Sequence, residues 1–341
     1  MDNDIIAERR KIGLALNAGL MDGISAIKAK EGYVWVLDIQ TDSLVGGEGL
    51  KDSGDGYYYF QEPSLDIAPP VVLPAAIYLT IMEAGAKPTD VILEDSNTTL
   101  EDAFVHGIDS AMAQSIERYL PNSYYEQSMA IQQMGMLAVE QDDQRLKTGK
   151  TEASNYQELQ EMQFLPDNML RWMNAVARGG FYDSSFEKYA DKDVFSPESV
   201  KRLQEMLRLN VTDGLANGAN SDVVPISGIT YVSLYDKKWR RRISFCGYFP
   251  SDNPQYGVYV ELIRKEQLED PLMKEWPELG KGAAIVCKSI AEMFVKQGQK
   301  HLQTINNVHI EENERVKEDD SLVPVIKAVT VKSVDGIGIT F

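Results

Sequence analysis

A serine followed three residues later by a lysine occurs at Ser25-Ala-Ile-Lys28 and at Ser185-Phe-Glu-Lys188. On a helix this spacing brings an amine beside a hydroxyl, and such a lysine can serve as the base for a serine nucleophile in acyl transfer. Lys147-Thr-Gly149 is a third short pattern, which can take part in such chemistry only on a strand beside the nucleophile. The first pattern precedes the first predicted strand, the second follows a pair of glycines that ends a helix, and the third lies in the polar loop predicted over 141–155. We therefore predict that none of the three is catalytic.

Metal and disulfide chemistry have few candidate residues. Cys246 and Cys287 form neither a close pair nor a disulfide framework, which predicts two buried free thiols. His106, His301 and His309 are too few and too scattered for a metal site built on imidazole, and nothing marks a carboxylate site. We expect no metal and no cofactor.

The composition indicates an acidic globular protein. The chain has 341 residues, of which 43% are hydrophobic and 25% charged, and its formal net charge is −18. This charge repels phosphate groups, so nucleic acid and anionic membranes are poor partners. Lys237-Lys-Trp-Arg-Arg-Arg242 is a basic exception, and it fits either a solvated hairpin tip or a site for an anionic polymer or a partner's acidic face.

Residues 1–30 carry charges throughout and contain no apolar run long enough for a signal sequence or a membrane span. As written, the chain is expected to be soluble and to lack an export signal. With Met1 as the natural start it would be cytoplasmic, whereas an anchor lost from a longer protein would change that expectation.

The first half of the chain combines strands with helices. Tyr33 to Leu37 is rich in β-branched and aromatic residues and is followed by turn formers, which predicts a hairpin. Tyr57-Tyr-Tyr-Phe60 fits a strand or the wall of a groove, with core and edge packing as the plainer interpretation. Apolar residues at helical spacing predict helices over 70–85, 100–120, 127–139 and 166–178.

The second half changes pattern. Ser196 as N-cap and Pro197 in the first turn open a helix that runs to about residue 209. Three short strands joined by short loops predict antiparallel hairpins, and a last amphipathic helix follows. The strands cover 228–235, 243–249 and 256–263, and the helix covers 282–297.

This order of elements predicts an α/β (α+β) fold, in which a central antiparallel sheet is flanked by helices and accompanied by an all-helical subdomain. We expect one domain over 1–310. Its sheet parts are predicted in about 1–66 and 220–310, its helical part in about 67–219, and a charged linker and tail over 311–341.

Several stretches together resemble the transpeptidase domain of class B penicillin-binding proteins. Val34-Trp-Val-Leu-Asp38, followed by Thr41, resembles the family's opening strand and turn, and Gln61-Glu-Pro63 resembles the segment that leads into its nucleophile helix. Thr99-Leu-Glu-Asp-Ala103 resembles the approach to its second motif. The resemblance implies a β-lactamase-like or transpeptidase-like fold.

Two longer segments carry the resemblance furthest. Met169-Leu-Arg-Trp-Met-Asn-Ala-Val-Ala-Arg-Gly-Gly180 is similar to a helix of the family that ends in Asn-Gly-Gly. Ser244-Phe-Cys-Gly-Tyr-Phe-Pro-Ser-Asp-Asn-Pro254 is the most specific match and resembles a hairpin in which the family has Ser-Phe-Val-Gly-Phe-Ala-Pro-Ala-Asp-Asn-Pro. The similarity spans roughly residues 33 to 300, in the family's order and spacing.

The family's catalytic motifs are changed at each corresponding position. Its first motif, Ser-x-x-Lys, corresponds to Ser64-Leu-Asp-Ile-Ala68. Alignment on Glu62-Pro63 puts Leu65 at the serine and Ala68 at the lysine, whereas alignment on Ser64 puts Ile67 at the lysine. Neither alignment supplies an amine, so a serine hydroxyl here has no local base.

The second motif, Ser-x-Asn, corresponds to Gly107-Ile108-Asp109, where a carboxylate would repel a carboxylate-bearing ligand. The third, Lys-Thr-Gly, corresponds to Ile226-Ser227-Gly228, where an apolar side chain replaces the cation. We expect no catalytic residue. The degenerate motif positions are Ser64, Leu65, Ala68, Gly107, Asp109, Ile226, Ser227 and Gly228.

The resemblance and the changed motifs together predict a catalytically inactive scaffold or regulator of cell-wall (peptidoglycan) or division machinery. Expected partners are cell-envelope proteins, with the peptidoglycan stem peptide as a further candidate, and the family implies a cell-envelope or periplasmic location. One alternative is an active transpeptidase, carboxypeptidase or β-lactam-binding protein, in which Ser64 acylates with a distant base. Another is a module that binds peptidoglycan peptides without acylation.

Overall fold

The computed structural model describes residues 2–54, 57–61, 68–120, 139–142, 145–148, 156–160, 162, 164–180, 196–234, 240–265, 276–311, 331–332 and 338–339. The helices are α1 (Asp2–Ile27), α2 (Leu73–Glu83), α3 (Leu100–Val105), α4 (Asp109–Tyr119), α5 (Tyr156–Gln160), α6 (Pro166–Ala177), α7 (Pro197–Thr212) and α8 (Trp276–Glu311). The strands are β1 (Glu31–Asp38), β2 (Leu44–Asp52), β3 (Tyr58–Gln61), β4 (Val91–Leu93), β5 (Thr98–Thr99), β6 (Val139–Asp142), β7 (Arg145–Thr148), β8 (Ser227–Leu234), β9 (Arg240–Phe249), β10 (Tyr256–Lys265), β11 (Val331–Lys332) and β12 (Gly338–Ile339).

Six of these strands form one antiparallel sheet in the order β3-β2-β1-β10-β9-β8. Because β1 pairs with both β2 and β10, the strands near the start of the chain and the late meander belong to the same sheet. The predicted fold class is confirmed, since helices flank this sheet and a separate group of helices adjoins it.

The two faces of the sheet cover two different cores, because successive side chains of a strand point to opposite faces. Val34 and Val36 on β1 and Val260 on β10 pack into the core beneath α1 and α8. Leu37 and Tyr259 lie on the other face, in the core that includes α2, α6 and α7. The sheet therefore separates the terminal helices from the middle helices.

Helix α1 is one of the elements that the sequence analysis did not predict. Its residues Leu16, Leu20, Ile24 and Ile27 recur at helical spacing and are buried against the sheet and α8. No helix in the described part of the chain combines the length and the apolar run that crossing a bilayer requires.

Three other predictions need correction. The helix expected over 100–120 is two helices, α3 and α4, which Gly107 separates with a φ of 63°. The loop expected over 141–155 includes most of the hairpin formed by β6 and β7. The last helix, α8, extends well beyond both predicted ends. The helix predicted over 127–139 lies outside the described residues except for Val139, and so do residues 237–239 of the basic segment.

Helices α1 and α8 cross closely at glycines. A Cβ atom at Gly23 would lie 2.6 Å from the backbone oxygen of Gly282 and 2.3 Å from Cγ2 of Val286. At Gly19 it would lie 2.7 Å from Cγ1 of Ile290. These separations are shorter than van der Waals contact, so a larger residue at either glycine must push the helices apart.

We predict opposite effects of one substitution at two helical glycines. Gly23→Ala should lower the free energy of unfolding by about 1–3 kcal/mol because it overpacks the crossing. Gly298→Ala, on α8 with nothing within 4 Å of the new Cβ, should raise it by up to about 1 kcal/mol through helix propensity. Urea unfolding at equal m-values measures both, and equal changes would contradict the close crossing.

Candidate functional site

The amino-terminal end of α2 is apolar and buried. Pro70, Val71, Val72 and Leu73 are all buried, and Val72 at the N-cap makes no side-chain capping hydrogen bond. The helix lies where periodicity predicted it, but its first turn carries neither a hydroxyl nor an amine. Ser64 and Leu65 fall within 62–67, outside the described residues.

Ala68, one candidate for the lysine position of the first motif, forms part of a β-bridge. Its N–H donates to the carbonyl of Phe164 at 2.8 Å, and its own carbonyl accepts from the N–H of Phe164 at 3.0 Å. The residue is fully buried. Its place is thus fixed by backbone pairing with the segment that leads into α6.

The second motif position lies at the corner between α3 and α4. A capping box begins α3: the Thr99 hydroxyl accepts from the N–H of Asp102 at 3.1 Å, and the Asp102 carboxylate accepts from the N–H of Thr99 at 3.0 Å. The hydrogen bond that the Thr99 hydroxyl donates to Asp102, reinforced by this backbone bond, lowers the pKa of that carboxyl. After Gly107 ends α3, the corner presents Asp109 as the first residue of α4.

Asp109 brings this corner toward β8. Its exposed carboxylate accepts a long hydrogen bond of 3.5 Å from the hydroxyl of Tyr156 on α5. Burial, and then the negative charge of Asp109, raise the pKa of the Tyr231 phenol on β8. The second motif position therefore lies near β8, the edge strand that begins at the third motif position.

The third motif position is the start of β8. Ile226 is fully buried in the core beneath the terminal helices, and its carbonyl accepts from Nη1 of Arg208 at 2.8 Å. Ser227 is also buried, and its Oγ lies 2.9 Å from Oγ of Ser251. The side chains at 226 and 227 are therefore used in packing and in a local hydrogen bond.

Packing explains why residue 228 is a glycine. It lies opposite Gly247 in the β8–β9 pairing, and the ring of Phe245 lies against both. A Cβ at Gly228 would be 2.3 Å from Cζ of that ring, and one at Gly247 would be 2.8 Å from it. Any side chain at either position would displace Phe245.

Of the three short Ser-x-x-Lys and Lys-Thr-Gly patterns of the sequence, two have described residues, and neither of these two lies at the start of β8. Lys28 follows the end of α1 with a φ of 55°, and both it and Ser25 are exposed. Lys147 and Thr148 lie on β7, not in a loop as predicted, but their hairpin is separate from the six-stranded sheet. Ser185-Phe-Glu-Lys188 lies outside the described residues.

Both cysteines are free and buried, as predicted, and burial raises the pKa of each thiol. Within the described ranges, no three His, Cys, Asp or Glu residues are grouped as ligands for a metal ion.

Sequence analysis missed a buried ionic cluster that joins the β1–β2 turn to α6. The Asp42 carboxylate accepts from both Nη atoms of Arg178 at 3.0 Å and from Nδ2 of Asn174 at 2.8 Å. Arg178 also donates to the carbonyl of Ile39. The Arg178 and Asp42 side chains are only 11% and 4% exposed. The available signal was that Asp42 directly follows Thr41 of one resembling segment and that Arg178 lies near the end of another.

Asp42→Asn should lower the free energy of unfolding by about 3–5 kcal/mol, because it leaves the Arg178 guanidinium buried without its counter-charge. The backbone should tolerate the change, since asparagine adopts the left-handed conformation seen at Asp42, whose φ is 51°. Asp167→Asn is the matched control, because its pair with Arg171 is partly exposed and should be worth under about 1 kcal/mol. Equal losses in chemical denaturation would contradict a stabilising role for the cluster.

Thr99→Ala should cost about 0.5–2 kcal/mol near pH 7 by removing the cap of α3. The folded-state pKa of Asp102 is lowered, so its contribution is present above its unfolded pKa and is lost as pH falls through the folded value. The difference between wild type and variant should therefore shrink below about pH 4 in urea unfolding. Exposed Thr89→Ala should show little difference at any pH, and a gap for Thr99→Ala that stays constant would contradict the capping box.

Comparisons with known proteins place this geometry among known folds. No protein-family model and no curated protein matches the chain. Solved structures do match: the transpeptidase domain of the FtsI4 D,D-transpeptidase from Legionella pneumophila has a TM-score of 0.59 at 15% identity, covering 84% of this chain and 96% of that one.

Two further structures agree with it. The transpeptidase domain of Burkholderia pseudomallei penicillin-binding protein 3 has a TM-score of 0.60 at 16% identity and covers 84% of this chain and 94% of its own. Penicillin-binding protein 3 of Mycobacterium tuberculosis has a TM-score of 0.61 at 14% identity, with coverage of 84% and 78%. The chain thus has a fold similar to the transpeptidase domains of class B penicillin-binding proteins.

Proposed function

We propose that this chain is a catalytically inactive penicillin-binding-protein-like domain that acts as a scaffold or regulator in the cell-wall or division machinery. The observation that carries the proposal is the apolar, buried character of the two places where the resembling family needs polar chemistry. These are Ala68, in the segment that leads into α2, and Ile226, at the start of β8.

Acyl transfer needs a nucleophile with a base in hydrogen-bond reach. The segment from Pro70 to Leu73, which leads into α2, offers four buried apolar residues, and Ala68 is held in a backbone bridge. A lysine at either place would have to lie in a desolvated environment, which disfavours its charged form. The local structure therefore favours packing over proton transfer.

The start of β8 supports the same proposal. A cation that recognises a substrate carboxylate must face the ligand, but Ile226 is fully buried on the face covered by the terminal helices. At the corner between α3 and α4, Asp109 carries a negative charge where the family has a neutral amide. A carboxylate-bearing substrate would meet repulsion from Asp109 with no attraction from residue 226.

The proposed cellular setting is drawn from fold likeness and not from the site. A fold can host many functions, and in this proposal the site lacks the family's chemistry. We propose a place at the cell envelope, with protein partners. An inactive domain of this fold would keep a rigid sheet and surfaces for docking other components.

The direct test is incubation with a labelled penicillin followed by intact-mass analysis. We expect no covalent adduct on the full chain, whereas a transpeptidase domain with intact motifs, run in parallel, should be labelled. The matched variant is Ser64→Ala.

An adduct on wild type that disappears in Ser64→Ala would overturn the proposal and restore acyl-serine chemistry with a distant base. An adduct that persists in the variant would overturn it as well and point to another nucleophile. Saturable, reversible binding of a peptidoglycan stem peptide without an adduct would replace the scaffold by a non-covalent binding module.

A further inference from the structure

An acidic side chain lies on the face of the sheet that α1 covers. On β2, Glu48 is directly opposite Val34 of β1, so the two side chains share a face of the sheet. Val34 is fully buried in the core beneath α1 and α8, and Leu50, two residues after Glu48 and on the same face, is buried there too. Glu48 itself is partly buried. A position that faces the core therefore holds an ionisable group.

The side chain of Glu48 lies against the backbone of α1. A Cβ atom at Gly13 would lie 3.0 Å from Oε1 of Glu48, so the carboxyl fills the space that a side chain at residue 13 would need. One helical turn later, Nδ2 of Asn17 donates to the carbonyl of Gly13 at 2.9 Å. Within the described part of the chain, Oδ1 of the same amide is buried and accepts no hydrogen bond.

The groups that face this carboxyl are uncharged. Strand β2 packs against α1, β1 and β3. Helix α1 presents the glycine and the asparagine just described, β1 presents Val34, and β3 pairs with β2 only from Gly49 onward. On β2 itself, Asp52 lies on the same face as Glu48, and it is paired with Lys30.

The cations of α1 do not neutralise the carboxyl either. They are exposed, and no charge of either sign acts on Glu48. These cations are Arg9, Arg10 and Lys11. Burial raises the pKa of the Glu48 carboxyl above its ordinary value, and the opposing effect is a hydrogen bond from Asn17.

Protonation would relieve two unfavourable features at once. It removes a desolvated charge from beneath α1. A carboxylate has no proton to offer to Oδ1 of Asn17, whereas a neutral carboxyl carries an O–H donor. The geometry therefore fits the neutral form of Glu48 better than the charged form.

We propose that Glu48 makes the docking of α1 onto the sheet pH-dependent, with the helix held more tightly when the carboxyl is protonated. Helix α1 is supported by β2 and by α8, so a charge at residue 48 weakens one of its two main contacts. The inference is independent of the proposed inactive role, because it uses no motif position and no ligand.

Glu48→Gln tests the proposal, because glutamine has the shape of a neutral carboxyl and keeps a donor at every pH. Since the folded-state pKa is raised, the stability that Glu48 contributes is present below its unfolded pKa and is lost as pH rises through the folded value. At pH 8, α1 amides should exchange hydrogen about tenfold faster in wild type than in the variant, the size expected when one buried polar group lacks a partner. This ratio should fall towards one as the pH is lowered to about 4.

Amides of α7 in the same samples are the internal reference, and their exchange should not differ between the two proteins. Glu94→Gln is the matched control, because Glu94 is exposed in the turn after β4, and this variant should match wild type at every pH. An α1 exchange ratio of one at pH 8, or a ratio that does not change with pH, would overturn the proposal. An equal change in α7 would also overturn it, because the effect would then be on the whole fold and not on the docking of α1.

Discussion

The buried carboxylate of Asp42 is the constraint on which the relation between sheet and helices depends. A charge that is almost completely removed from water must be paired, and its partners are Asn174 of α6 and Arg178, the C-cap of that helix. Since Asp42 lies in the β1–β2 turn, satisfying its charge fixes α6 against the sheet. Gly257 on β10 permits the approach, because a Cβ there would lie 1.9 Å from Oδ1 of Asn174.

The two faces of the sheet are packed through different kinds of interaction. The face beneath α1 and α8 is apolar, and glycines let those helices cross closely. The opposite face carries ionic groups: besides Asp42 and Arg178, Arg242 lies 2.9 Å from Glu261, with side chains only 6% and 5% exposed. Apolar contact tolerates small shifts, whereas a buried ion pair is satisfied in one arrangement only. The Asp42–Arg178 pair thereby holds α6 in one position above the sheet.

Whether a feature could be predicted from the sequence depends on how far apart in the chain its interacting residues lie. Helix α7 and strands β8 to β10 were predictable because local periodicity and caps define them, as the Ser196 cap illustrates. The break at Gly107 was missed because apolar spacing continues through it and only the φ value interrupts the helix. The link between Asp42 and Arg178 spans 136 residues, so no local pattern encodes it. Of the candidate site, the residues aligned with the family's motifs could be named from sequence, but the burial of Ile226 required the fold.

Burial at the third motif position agrees with the proposed inactive role. A catalytic site must keep polar groups partly unsatisfied and exposed to substrate, and such sites usually cost stability. Here the carbonyl of Ile226 is satisfied by Arg208, the hydroxyl of Ser227 by Ser251, and Gly228 leaves room for Phe245. Each position contributes to packing instead of facing a ligand.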